Sequence, residues 1–130
     1  MNIKIKKYFT ILFAIAFFHL LGVFFLYDVF PNYDVLMHSG TGFLLSYILA
    51  DYWGKYLPQR YIRYVFIFSV LVCLGVIWEL GEYVWDQTIS TYFNLNFLQL
   101  SLQDTMGDLA LDMVGSLIFL FYNYKKKLDK

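Results

Sequence analysis

The lysines and arginines of this chain fall into three short clusters, and this distribution constrains the fold more than any other feature. The ten basic residues are Lys4, Lys6 and Lys7, then Lys55, Arg60 and Arg63, and finally Lys125, Lys126, Lys127 and Lys130. Between the clusters lie residues 8–54 and 64–124, two long stretches that contain no lysine or arginine. Because basic loops are retained on the cytoplasmic side of a membrane, each stretch is predicted to cross outward and return.

Composition also favours a bilayer as the solvent of this chain. Hydrophobic residues make up 60% of the 130 residues and charged residues only 15%, against about 45–50% and about 25% in soluble domains. Such a chain has too little polar surface to cover a water-exposed fold. The basic residues only bracket apolar runs and form no patch of their own, so nucleic acid is excluded as a partner.

Four segments are long and apolar enough to be transmembrane helices, which need about 20 residues. They are Tyr8–Tyr27, Val35–Trp53, Tyr61–Val84 and Asp104–Tyr122. The first is longer than the apolar core of a cleaved signal peptide, so we interpret it as a retained span. The prediction is an all-α, polytopic membrane four-helix bundle that forms a single integral membrane domain over residues 1–130. Both termini are expected to be cytoplasmic.

Residues 86–103 are predicted to form a long outer loop. Within it, Leu98, Leu100 and Leu102 alternate with polar residues, a pattern typical of an extended or interfacial segment. The loop is expected either to cover a site as a lid or to rest on the lipid headgroups. Cys73, the single cysteine, is expected to be a small buried residue, and Asp28 and Asp51 are expected to be solvated.

Three of the predicted spans carry a stripe of polar residues at the spacing of one helix face. The stripes are Asp34, His38 and Thr41; Gly75, Glu79, Glu82 and Asp86; and Asp104, Asp108 and Asp112. An ionisable group that faces lipid costs roughly 2.5–3.5 kcal/mol on insertion scales. The stripes are therefore expected to face inward and to form one acidic pocket near the outer surface.

So many carboxylates without a nearby lysine or arginine need either protons or cations to neutralise them. Oxygen ligands favour Mg²⁺, Mn²⁺ or Ca²⁺, and one histidine among carboxylates also permits Zn²⁺ or Mn²⁺. His38 and Glu79 are the candidate acid/base groups, and His19 is expected to be a hydrogen-bonded packing residue. The structural alternative is a set of neutral acids that hydrogen-bond the helices together. The candidate metal ligands are Asp34, His38, Glu79, Glu82, Asp104, Asp108 and Asp112.

Three motifs in this order resemble the VanZ-like superfamily, especially its small inner-membrane proteins of the YjdF type. The motifs are D-x-x-x-H at residues 34–38, W-E-x-x-E at residues 78–82 and D-T-x-x-D-x-x-x-D-x-x-G at residues 104–115. The resemblance covers roughly residues 33–118. It implies a polytopic protein of the bacterial cytoplasmic membrane with inward-facing acidic motifs, and it implies no particular reaction.

Three functions fit this pattern. The first is a metal-dependent hydrolase or transferase that acts on a lipid or polyprenyl headgroup. The second is a proton or cation transporter, which the carboxylates and histidine would suit. The third is a non-catalytic accessory or envelope tolerance protein that binds Ca²⁺ structurally. Membrane lipids are the expected partners, and a homo-oligomer is left open.

Overall fold

The computed structural model describes residues 3–27, 29–30, 32–95, 97–99 and 101–128. Those residues form four main helices and no strand: α1 (Ile3–Leu21), α2 (Tyr33–Trp53), α3 (Arg60–Trp85) and α4 (Leu102–Leu128). A π-helical turn, Gly22–Leu26, continues α1, and a second, Asp86–Ser90, continues α3 into the short turn Thr91–Phe93. The prediction of an all-α bundle is confirmed. The predictions that fall on Asp28 and Leu100 lie outside the described residues.

Three of the helices are long and apolar enough to cross a membrane: Ile3–Leu26, Arg60–Phe93 and Leu102–Lys126. The other main helix, α2, has 21 residues, about 32 Å at 1.5 Å per residue, and is long enough to cross but less apolar. It contacts α1, α3 and α4, and nearly all of its side chains are at least partly covered. Protein rather than lipid surrounds α2, which explains its polar residues; its crossing of the membrane remains a prediction.

The segment after α3 is shorter and more helical than we predicted. The helix continues through the π-helical turn to Phe93, where Asn94 adopts a left-handed conformation with φ of 54° that asparagine tolerates better than most residues. Within these extra turns, the Thr88 hydroxyl donates to the carbonyl of Val84. The prediction of a loop over residues 86–103 was therefore wrong, because only residues 94–101 separate the helices.

The described residues of the three basic clusters lie at one end of the bundle, which we call the basic end. Lys4 lies 3.4 Å from a carboxylate oxygen of Asp51, and the Tyr8 hydroxyl donates to the other at 2.6 Å. The Arg60 guanidinium lies over the ring of Tyr124. The opposite end, where α2 and α4 begin and α3 ends, is the acidic end.

Two smaller expectations were wrong. Asp51 is not simply solvated, because Tyr8 and Lys4 hold its carboxylate against α1. Cys73 is exposed rather than buried, since it lies on a face of α3 that the other helices do not cover. In a bilayer that face contacts lipid, where a small apolar side chain is as well accommodated as in a protein core.

Glycines bring α2 and α4 into direct backbone contact. A methyl group on Gly42 would overlap the backbone carbonyl of Asp112, and one on Gly115 would overlap the carbonyl of Ser39. Small residues allow such close approach between helices in membranes. The paired glycines therefore set the distance between the two helices that carry most of the polar stripes.

A buried hydrogen bond links the same two helices. The Ser46 hydroxyl donates to the Ser116 hydroxyl at 2.7 Å, and both side chains are fully buried. Towards the basic end this contact continues into an apolar core in which Ile67 and Phe119 pack against Phe43 and Tyr47. The α2–α4 pair is thus the centre of the fold.

The first prediction concerns the hydrogen bond between Ser46 and Ser116. Either Ser46→Ala or Ser116→Ala should lower the free energy of unfolding by about 1 kcal/mol, because the remaining hydroxyl is left buried without its partner. The double variant should lower the free energy of unfolding by less than the sum of the two single losses, with a coupling energy of about 0.6 kcal/mol between the two hydroxyls. Unfolding in mixed micelles measures all three, and Ser69→Ala, at an exposed position of α3, is the control. Strict additivity would contradict the prediction.

Candidate metal centre at the acidic end

Four polar side chains from α2 and α4 meet at the acidic end, and we call them the His38 cluster: Asp34, His38, Asp108 and Asp112. The Nε2 atom of His38 lies 3.6 Å from Oδ1 of Asp34 and 3.9 Å from Oδ1 of Asp108. Its Nδ1 atom lies 3.4 Å from Oδ1 of Asp112. His38, Asp108 and Asp112 are buried, and Asp34 is half-buried.

Local sequence and helix packing together build the cluster. Asp34 precedes His38 by four residues, and Asp108 precedes Asp112 by four, so each pair shares one face of its helix. The contact at Gly42 and Gly115 turns the two faces towards each other. On the α3 side, Gly75 leaves room for Asp112, because a methyl group there would lie 3.0 Å from Oδ2 of Asp112.

Three members of the cluster have the geometry of a metal site. One ligand atom from each of Asp34, His38 and Asp108 lies within 4.8 Å of the others. Cation–oxygen distances of roughly 2.0–2.6 Å allow ligand atoms to lie up to about 4–5 Å apart, so a single cation fits between these atoms. Two carboxylates and an imidazole are a donor set suited to Mn²⁺ or Zn²⁺. Asp112, on the other ring nitrogen, is placed to orient His38.

Glu82 lies in a different hydrogen-bonding group, which joins α3 to α1. The indole nitrogen of Trp78 donates to Oε1 of Glu82 at 2.9 Å, and Nε2 of His19 lies 3.8 Å from the same oxygen. The His19 ring packs edge-on against Trp78, with centroids 4.6 Å apart, and its Nδ1 atom lies 3.2 Å from the Tyr27 hydroxyl. His19 thus has the packing and hydrogen-bonding contacts that were expected of it.

Glu79 has a different partner, in the segment after α3. The side-chain amide of Gln99 donates to Oε2 of Glu79 at 3.1 Å and to its main-chain carbonyl at 2.8 Å. The second carboxylate oxygen, Oε1, is buried and has no hydrogen-bond partner among the residues that the structure describes. Glu79 therefore faces the segment after α3, whereas Glu82, three residues later, faces α1.

Asp86 anchors that segment. Its carboxylate accepts hydrogen bonds from the backbone N–H groups of Leu98 and Gln99, at 2.8–3.0 Å, and from the Ser90 hydroxyl at 3.1 Å. Sequence reasoning missed the role of Gln99, and it placed Asp86 on the acidic stripe without a function. Leu98 and Gln99 are thus tied to α3, and the alternatives of a lid over a site or a loop on the headgroups both remain predictions.

Asp104 is the remaining predicted ligand. It lies half-buried in the first turn of α4, and its backbone N–H is bonded to the Ser101 hydroxyl at 3.1 Å. It lies one turn from Asp108, on the outer side of the cluster. The predicted set of seven ligands is thus divided into the His38 cluster, the separate carboxylates of Glu79 and Glu82, and Asp104 at the rim.

A cavity of about 610 Å³ adjoins the His38 cluster. Residues of α1, α2 and α3 form most of its wall, which is predominantly apolar. The ionisable residues in the lining are His19, His38, Glu82 and Asp112. A second cavity, of about 560 Å³, lies between α3 and α4 and includes Glu79, Asp86 and Gln99 in its lining. Glu82 and the His38 cluster therefore share one cavity, and Glu79 belongs to the other.

Comparison with known proteins supports the membrane assignment. A family model described as "Predicted membrane protein (DUF2238)" matches residues 1–127. No curated protein matches the chain, and no solved structure matches it. The match agrees with the apolar helices of the fold, and the more specific resemblance to VanZ-like and YjdF-type proteins remains a prediction.

Proposed function

The chain belongs to the DUF2238 family of predicted membrane proteins, and on this premise we propose that it is a cation-dependent membrane enzyme acting on the phosphate of a lipid or polyprenyl headgroup. The observation that carries the proposal is the convergence of Asp34, His38 and Asp108 next to a largely apolar cavity. In this proposal the acidic end would lie on the outer side of a bacterial cytoplasmic membrane, because the basic end would be retained inside.

Asp34, His38 and Asp108 would hold the cation, with Mn²⁺ or Zn²⁺ favoured by the imidazole and Mg²⁺ or Ca²⁺ by the carboxylates. A divalent cation there supplies positive charge for phosphate oxygens and makes water a better nucleophile. The positive charge of the cation matters because the described ion pairs of Asp34, Asp108 and Asp112 are all with His38. Without the cation, these carboxylates would repel an anionic headgroup.

The protein side chains divide the remaining work. Asp112 would accept a hydrogen bond from Nδ1 of His38 and leave Nε2 free as a ligand. Glu82, which lines the same cavity as His38, would accept a proton from the attacking water and return it to the oxygen of the departing alcohol. The phosphorus–oxygen bond to that alcohol breaks as the bond to water oxygen forms. An acid/base role for Glu79 remains a prediction, since Glu79 lies beside Gln99 instead.

Turnover in reconstituted vesicles tests the proposal. Purified protein in vesicles of phospholipid and polyprenyl phosphate should release phosphate or a phosphorylated headgroup when Mn²⁺ is added, and chelation should stop the release. Asp108→Ala should be inactive, whereas Asp51→Asn, at the basic end, should retain activity. Lipid products are followed by mass spectrometry. Release that persists after chelation, or after Asp108→Ala, would rule out this mechanism, and cation binding without any turnover would rule out catalysis.

A further inference from the structure

We propose that the 610 Å³ cavity binds the hydrocarbon tail of a single-chain amphiphile, which enters sideways from the bilayer between α1 and α3 and places its headgroup beside His38. This inference names the form of the substrate and rests on the proposed function for the chemistry at the headgroup. Binding of the tail is a separate physical property and is tested separately.

The first observation is a gap between two helices. In the part of the chain that the structure describes, no Cα atom of α1 lies within 8 Å of a Cα atom of α3. The described contacts between them are made near the acidic end, where His19 meets Trp78 and Glu82. Both helices line the cavity, which therefore occupies the space where a direct helix–helix contact would otherwise be.

The second observation is the shape of the cavity. Its lining on α3 runs from Leu71 to Trp85, and on α1 from Leu12 to Val23. At 1.5 Å per residue these stretches are about 21 Å and about 17 Å long. The cavity is thus long enough to take an extended hydrocarbon tail that lies along the two helices.

The third observation is the distribution of polarity along the cavity. His19, His38 and Glu82 lie towards the acidic end, whereas Leu12 and Leu71 lie towards the middle of the bundle. His19 and Leu12 are seven residues apart, about 10 Å along α1. A cavity with a polar end and an apolar body is complementary to a molecule with one headgroup and one tail. The polar end includes His38, so the headgroup would reach the candidate metal centre.

Photocrosslinking in nanodiscs tests the tail site. The probes are a long-chain alkyl phosphate and the corresponding long-chain alcohol, each with a diazirine in the tail, and labelled peptides are mapped by mass spectrometry. Labelling should concentrate on residues 12–23 and 71–85. Gly81→Leu should reduce it about tenfold, because Gly81 lines the cavity and has open space around its missing side chain.

Gly107→Leu is the matched control. Gly107 also has open space around it, but it lies on an exposed face of α4 away from the cavity, so labelling should be unchanged. Ala16→Leu, on the α1 wall of the cavity, provides a second filled variant if Gly81→Leu folds poorly. Equal labelling of the filled variants and the control, or labelling spread over all lipid-facing helices, would overturn the proposal.

The two probes separate this inference from the proposed function. The alcohol should label the cavity equally with and without a chelator, because tail binding needs no cation. The alkyl phosphate should label better with Mn²⁺ than with a chelator. If both probes label the cavity without any effect of Mn²⁺, the tail site stands and the proposed role of the cation fails.

Discussion

Replacing Gly42 or Gly115 with leucine should nearly abolish folded protein. Any side chain at these positions would overlap a backbone carbonyl of the facing helix, that of Asp112 or Ser39, and a backbone cannot rotate away as a side chain can. Overpacking in a core typically costs about 1–3 kcal/mol and occasionally more, and we expect the upper end or beyond because α2 and α4 must separate. The free energy of unfolding of a whole protein is only about 5–15 kcal/mol, so a loss of this size is a large part of it.

The chain contains its own controls for this prediction. Gly40 on α2 and Gly107 on α4 have open space where a side chain would be added, so the same substitutions there should leave the fold intact. Alanine in place of either should be neutral or stabilising by up to about 1 kcal/mol, because glycine is a poor helix former. The yield of monodisperse protein and its thermal midpoint in detergent measure the difference. Equal losses at all four glycines would show that α2 and α4 do not pack as described.

Cation binding should separate the predicted ligands into two groups. Asp34→Asn and Asp108→Asn should weaken Mn²⁺ binding by about 100-fold or more, because each replaces an anionic carboxylate ligand of the three-residue site with a neutral amide. Asp112→Asn should cause a smaller loss, about 10–100-fold, because Asp112 acts by orienting His38. Electron paramagnetic resonance of free and bound Mn²⁺ in detergent provides the measurement.

Glu79→Gln and Glu82→Gln are the informative comparisons, since both residues were predicted as ligands and both lie in other hydrogen-bonding groups. We expect Mn²⁺ affinity in both variants to stay close to that of the unmodified protein. A loss at Glu79 equal to that at Asp108 would place the cation nearer α3 and contradict the three-residue site. Asp51→Asn controls for a general effect of removing an acidic group.

The helical architecture and the two ends of the bundle were predictable from the chain itself. Apolar runs of about 20 residues specify helices through local hydrogen bonding in any apolar solvent. The clusters of basic residues mark where those runs stop. The prediction of a loop over residues 86–103 was wrong, because the mostly polar residues 86–93 continue the helix up to the left-handed Asn94, and hydrophobicity alone does not show this.

The metal centre was predictable only in part. Spacing of four residues correctly grouped Asp34 with His38 and Asp108 with Asp112, because helix geometry fixes which residues share a face. The same reasoning placed Glu79 and Glu82 on one stripe, but it did not predict that Glu79 meets Gln99 whereas Glu82 meets His19 and Trp78. A stripe predicts a face, but it does not predict which neighbour each side chain meets.

The amino-acid sequence alone determined that this protein is helical, that it belongs in a membrane and that most of its acidic residues lie away from its basic clusters. These properties depend on the local period of the helix and on the cost of charge in lipid, both of which act on neighbouring residues. Only the tertiary structure decided which acids meet. That outcome depends on how each helix is rotated about its axis. Contacts between residues far apart in sequence, such as Gly42 with Asp112 and Gly115 with Ser39, determine these rotations.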